Sequence, residues 1–312
     1  MAEPLTVMTW FWRQDGGRTT YSAETVNIWA DMVSRNLRLP HRLACVTAHP
    51  EGIDPRVAII EPPSDFEDVT IGTWGQDKPQ CLRRIAMFRP DAAEIFGKRF
   101  VSMDMDCIIT GPLDPLFDRA DDFVMYRGTH QVRPYNGSMM MMTAGVRPEV
   151  YERFTPGAAA EAGQRFIGSD QAWISHVLGA GEATWGVEDG VYAYGSRQAG
   201  PLAAAKIVFC LGMPKPWGLV DQGEPWVEHH YRRDPRGGRC LILGYGPDLW
   251  TDALAAMAGG EFEAIIASPE AAAHWPRPVD AIAMDDDHAL RLARMKGFDE
   301  VVVCGAQRKE AA

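Results

Sequence analysis

The run Phe100-Val101-Ser102-Met103-Asp104-Met105-Asp106-Cys107-Ile108-Ile109-Thr110 constrains this chain more than any other. An apolar segment ends in two carboxylates one residue apart. More apolar residues follow, then Gly111-Pro112-Leu113-Asp114-Pro115-Leu116-Phe117. In a strand, side chains two positions apart leave the same face, so Asp104 and Asp106 are expected to point together into a cleft at a strand end. Two carboxylates held that close repel unless a cation lies near them. Hard oxygen ligands of this kind suit Mg2+ or Mn2+, which also take diphosphate oxygens.

The flanking pattern places this run in an α/β domain. Leu5 to Trp12, Arg42 to Thr47, Val57 to Glu61 and Lys98 to Met103 read as strands. Tyr21 to Leu37 has helical periodicity, with Val26, Trp29, Met32, Val33 and Leu37 as core residues. A second helix is expected from Asp77 or Lys78 to Phe88, with Pro79 in its first turn and Pro90 at its end. Asp122 to Tyr126, Ser138 to Thr143 and Lys206 to Cys210 read as later strands, and a helix runs from Ser169 or Asp170 to about Leu178. Strands alternating with helices imply a mostly parallel sheet, which binds ligands outside its strands' carboxyl ends. Asp104 is at such a position.

The polar, Gly- and Pro-rich stretch Tyr231 to Arg239 marks a junction. Beyond it come strands at 240–244, 262–267, 279–284 and 300–304, with helices at 247–257 and 286–296. The expected organisation is a domain over 1–235 and a small α/β unit over 236–312.

The 312 residues carry a net charge of −11, which argues against broad attraction to nucleic acid or anionic membrane. No apolar run is long enough to span a bilayer. The start, Met1-Ala2-Glu3-Pro4-Leu5, lacks a secretory pattern, so a cytoplasmic chain without a transmembrane segment is expected. The six cysteines form no Cys-x-x-Cys pair and read as reduced and buried.

An Asp-x-Asp alone also fits a solvated turn or a capping pair. Here it sits in an ordered series. Trp74 and Arg84-Ile85-Ala86-Met87-Phe88-Arg89-Pro90 precede it, and Asp114-Pro115-Leu116-Phe117 follows. Then come Tyr135-Asn136-Gly137-Ser138, Gly168-Ser169-Asp170-Gln171 and Gly212-Met213-Pro214-Lys215-Pro216-Trp217. This series, over about residues 5–220, resembles bacterial proteins related to family 8 glycosyltransferases with the GT-A fold. The resemblance implies a GT-A-like, Rossmann-type sheet with helices on both faces, and transfer of a sugar from a nucleotide-diphospho-sugar, a UDP-sugar, with retention. It implies that Asp104 and Asp106 bind Mn2+ or Mg2+ and the donor diphosphate. Arg84 meets phosphate or sugar by the same resemblance, and Asn136, Gly137 and Ser138 lie beside the donor sugar. Asp170 and Gln171 face the transferred sugar as the catalytic pair. Gly212 belongs to the segment whose Lys215 neutralises the diphosphate.

Each of these residues also has a plain structural reading. Arg84 fits a surface helix position, 136–138 an ordinary turn, and Ser169 or Asp170 a helix cap.

Family members usually carry a metal-binding histidine three residues or one residue ahead of the glycine at 212. Here those positions are Phe209 and Leu211, which cannot ligate a metal. The rival reading is therefore a catalytically degenerate GT-A-fold binding or interaction protein. The acceptor stays open among an oligosaccharide, a lipid-linked sugar, a protein and a modified nucleic acid.

Other motifs have simpler explanations. Gly244-Tyr245-Gly246 resembles half a dinucleotide fingerprint, but Leu249 stands where the third glycine belongs. Asp285-Asp286-Asp287-His288 reads as acidic residues at a helix start. Met139 to Met142 reads as sheet core. Arg232, Arg233, Arg236 and Arg239 read as a solvated linker able to meet an anionic acceptor.

Overall fold

The computed structural model describes residues 3–12, 21–70, 81–195, 202–235, 237–246 and 248–305. Trp74 and the expected helix start at 77–80 lie outside them. The chain separates into two compact units, Met1–Leu211 and Gly212–Ala312. The helices Pro216–Asp221 and Pro225–His230 thus group with the C-terminal strands rather than with the segment before them.

The first unit is built on β1 (Leu5–Trp10), β2 (His41–Val46), β3 (Ala58–Ile60), β4 (Arg99–Met103), β5 (Cys107–Ile109), β6 (Phe123–His130), β7 (Arg133–Thr143), β8 (Ala183–Trp185), β9 (Val191–Ala193) and β10 (Ile207–Phe209). Seven of these strands form one sheet in the order β3-β2-β1-β4-β7-β6-β8. Pairing is parallel from β3 to β4, antiparallel on both sides of β7, and parallel again between β6 and β8. A smaller sheet has the order β5-β10-β9.

Every residue of β1 is buried, as a strand covered on both faces requires. Met8 and Trp10 join Ala44, Val46, Phe100, Met140 and Met142 in one core cluster. That cluster also takes in Leu82, Ile85 and Phe88, as well as Trp173 and Ile174 of the helix Asp170–Leu178. The helix Ala23–Asn36 starts where the sequence supplies a cap: the Ser22 hydroxyl accepts from the Thr25 amide at 3.3 Å.

Cys81–Phe88 is a 3-10 helix, wound more tightly than the α-helix expected there. Eight residues is long for this winding, and such stretches mark local constraint. It carries Arg84 into the interior. The three-residue strands β5, β8 and β9 and the helix Pro156–Phe166 were not foreseen from the sequence. Strands this short have no readable period.

The second unit has β11 (Arg239–Leu243), β12 (Ala264–Ala267), β13 (Ala281–Ile282) and β14 (Glu300–Cys304) in an all-parallel sheet, order β13-β12-β11-β14. Alternate residues face opposite cores. Ile242 and Ile266 pack with Ala289 and Ala293 of the helix Asp286–Met295. Leu241 and Leu243 pack with Leu249 and Ala253 of the helix Leu249–Ala258. No described helix is long and apolar enough to cross a membrane.

Candidate active site

Asp104 and Asp106 lie just past β4 rather than within it, in the three-residue link to β5. The strand expected over 98–103 is found at Arg99–Met103, so both carboxylates fall past its end. The ladder still fixes them, because the Asp104 amide donates to the Ser138 carbonyl at 2.8 Å and the Cys210 amide to the Asp106 carbonyl at 2.9 Å. Met105 between them is buried.

β7 brings Asn136-Gly137-Ser138 alongside. Met125 pairs with Met140, yet Tyr126 pairs with Asn136, so β7 carries extra residues at this point. Bulges of this kind re-aim side chains and backbone at sites. The Asn136 side-chain oxygen accepts from the Ser138 amide at 2.9 Å and holds the bulge in shape. Gly137 donates its amide to Oε1 of Gln171 at 3.0 Å.

Arg84 joins these parts. Its Nη1 is 2.6 Å from Oδ1 of Asp104. Its Nε and Nη2 both reach Oδ2 of Asp170, at 2.7 and 2.6 Å. Arg84 and Asp170 are nearly fully buried, while the Asp104 side chain keeps 32% of its surface exposed. Burial alone would lower the Arg84 pKa, but the Asp170 and Asp104 carboxylates outweigh it and hold it well above the usual value. Arg84 is therefore a permanent cation inside the unit, not the surface residue its helix position would permit.

Asp170 opens the helix Asp170–Leu178 without capping it. Ser169, the N-cap, makes no side-chain cap bond, and Oδ1 of Asp170 accepts from the Ser169 hydroxyl at 3.2 Å. The segment before it is strained. Ile167 is β-branched with φ 55°, a left-handed conformation that such residues rarely adopt. Arg133, itself buried, donates Nη1 to the Ile167 carbonyl and Nε to the Tyr135 carbonyl.

Two residues at this site carry no motif and were not foreseen. Arg133 is one. Tyr21 is the other: its hydroxyl donates to Oδ2 of Asp106 at 3.0 Å. Burial, then the charges of Asp106 and Asp104, raise the Tyr21 pKa, so the phenol stays protonated. Cys81 is close by, and burial pushes its thiol up to about 12 against the pull of Arg84. It is a neutral thiol rather than a nucleophile.

Asp104, Asp106, Asp170, Arg84, Asn136, Gly137, Ser138 and Gln171 thus form one connected site in the first unit. Gly212 and Lys215 belong to the second unit, where Gly212 is exposed and Lys215 buried. Phe209 is fully buried in β10 and stacks on Tyr126 at 5.4 Å, so a core ring occupies that position.

Three carboxylates, Asp104, Asp106 and Asp170, outnumber the two guanidiniums of Arg84 and Arg133. The donor set is all oxygen. Among the described residues no cluster of three or more His, Cys, Asp or Glu could hold a metal ion. This chemistry fits a hard divalent cation that completes its shell with phosphate and water, as Mg2+ commonly does on one or two carboxylates.

The motifs set aside from the sequence have local explanations. A Cβ at Gly244 would stand 3.1 Å from the Cys304 carbonyl oxygen, so strand packing accounts for this glycine. The Asp285 side chain caps the following helix by accepting from the His288 amide at 2.7 Å.

No family model and no curated protein matches the chain. Solved glycosyltransferases are similar to it in structure. A galactosyltransferase, LgtC, in complex with donor and acceptor sugar analogues has a TM-score of 0.46 at 13% identity, covering 68% of this chain and 89% of its own. The glycosyltransferase GlyE of Streptococcus pneumoniae TIGR4, in its apo form, has a TM-score of 0.45 at 11% identity, covering 96% and 80%. The bifunctional glycosyltransferase WbbM has 0.42 at 12%, covering 70% and 47%.

Proposed function

We propose that the chain is a metal-dependent glycosyltransferase that moves a sugar from a nucleotide-diphospho-sugar, a UDP-sugar, to an acceptor with retention. One observation carries this reading: Arg84 bonds Asp104 at the end of β4 and Asp170 at the helix start, while the β7 bulge closes on Gln171. Four of the segments that the family resemblance names, those carrying Arg84, Asp104, Gly137 and Asp170-Gln171, are thereby neighbours in space.

Breaking the sugar–diphosphate bond leaves negative charge on phosphate and positive character on the sugar. Asp104 and Asp106 would hold the divalent ion, which supplies charge stabilisation to the departing diphosphate when bound. Lys215 is assigned the same task by the resemblance. Oε1 of Gln171 is committed to Gly137, which leaves its amide nitrogen to orient the sugar. Asp170 gives Oδ2 twice to Arg84, so its role is to fix Arg84 and present a steady negative field to the sugar.

Phe209 favours the second reading, a degenerate GT-A-fold protein that binds a nucleotide without turnover. The two separate on one experiment. Donor hydrolysis is measured across a panel of nucleotide sugars with Mn2+, with chelator, and in Asp104→Asn. Metal-dependent turnover lost in the variant supports the transferase. Binding without turnover for every donor supports the degenerate reading.

A further inference from the structure

The second unit contains a cavity of about 450 Å³ that uses none of the residues above. Its volume falls within the range of small-ligand sites, about 300–1,000 Å³. Arg232, Arg233, Arg291 and Arg294 line it, against two carboxylates, Glu228 and Asp299. In a chain of net charge −11, this gathering of cations runs against the overall balance. Val220, Met295 and Phe298 add apolar wall.

Some of these arginines have a structural task. Arg232 donates Nε to the His229 carbonyl at 3.0 Å, and Arg291 donates Nη2 to the Asp221 carbonyl at 3.4 Å, as basic residues near helix ends do. A carbonyl bond leaves the charge of Arg291 in place. The ion pair from Arg291 to Glu228 spans 3.8 Å, beyond hydrogen-bond length, and the buried Nε has no hydrogen-bond partner. Arg294 is exposed, and its side chain makes no hydrogen bond or ion pair among the described residues. Capping does not account for it.

We propose that this cavity is an oxyanion site that takes a phosphoryl group carried on a small apolar or ring-bearing moiety. Guanidinium forks match phosphate oxygens two at a time, and the apolar wall covers the carrier. The proposal does not depend on the transferase reading.

The test is calorimetric titration of the full chain, without divalent metal and at fixed ionic strength. The probes are inorganic phosphate, a nucleoside monophosphate, a hexose phosphate and a short-chain alkyl phosphate, with chloride as control. At least one phosphate compound is expected to bind saturably, and the carrier preferred names the source. Its Kd should rise about tenfold in Arg294→Gln, the size of one lost charge-assisted bond. Arg277→Gln, at an exposed position outside the cavity, and Asp104→Asn should leave it unchanged. Arg291→Gln should weaken it likewise; if that variant does not fold, exposed Arg294 decides. The proposal is overturned if no phosphate compound binds at millimolar concentration, if Arg294→Gln binds as wild type does, or if Asp104→Asn alone abolishes binding.

Discussion

Arg84 delivers two of its nitrogens to a single oxygen of Asp170, 86 positions away in the chain. The same guanidinium holds Asp104 with its third nitrogen. A buried cation with two anionic partners organises the site before any ligand arrives.

Removing that cation should be costly. Arg84→Ala leaves Asp170 buried and unpaired, and breaking such a pair costs about 3–5 kcal/mol. Urea unfolding of wild type and variant reads this directly. A loss below about 1 kcal/mol would show that the pair is not structural.

Gly137 leaves no room for a side chain. An added Cβ would stand 2.9 Å from Nη2 of Arg84 and 3.2 Å from Oδ2 of Asp170. Gly137→Ala should push the ion pair apart at a cost of about 1–3 kcal/mol and lower donor turnover at least tenfold. Paired melting and turnover measurements check both effects.

Tyr21 acts through Asp106. Tyr21→Phe keeps the ring and removes the hydroxyl that donates to Oδ2 of Asp106. Partners of ligating carboxylates typically tune metal affinity about 10–100-fold. Half-saturation by Mn2+ should therefore rise by about that factor, with turnover at saturating metal largely kept. An unchanged metal titration would remove Tyr21 from the site.

Asp286 gives the pH prediction. Burial, then the charges of Asp285 and Asp287, raise its pKa in the folded chain. The folded state then holds the proton to higher pH than the unfolded state, so stability falls as pH rises above the unfolded value of about 3.9. Asp286→Asn should raise the melting temperature at pH 7, and the gain should vanish below about pH 3, where both states are protonated. A gain that persists at low pH would point to a cause other than charge.

The local parts of the fold were legible in the sequence, and the long-range ones were not. Glu300–Cys304 and Asp170–Leu178 form as their apolar patterns require. The Asp-x-Asp, the 136–138 segment and Asp170-Gln171 all reach one place. Tyr21 was invisible because its partner is 85 positions away and a lone tyrosine at a helix start carries no signal. The bulge in β7 was equally hidden, since it exists only as a mismatch between two strands. Arg84 was ambiguous because helical periodicity does not distinguish a buried ion pair from a solvated residue.

Met139 to Met142 occupy the half of β7 next to the bulge, each almost fully buried between β4 and β6. Thioether chains are unbranched and adapt to irregular neighbours. A substitution in a helix packed on this strand can therefore be absorbed by these side chains, and the Asn136–Ser138 end stays where it is. Four soft side chains thus cushion the Asn136–Ser138 end against changes in the packing around the strand.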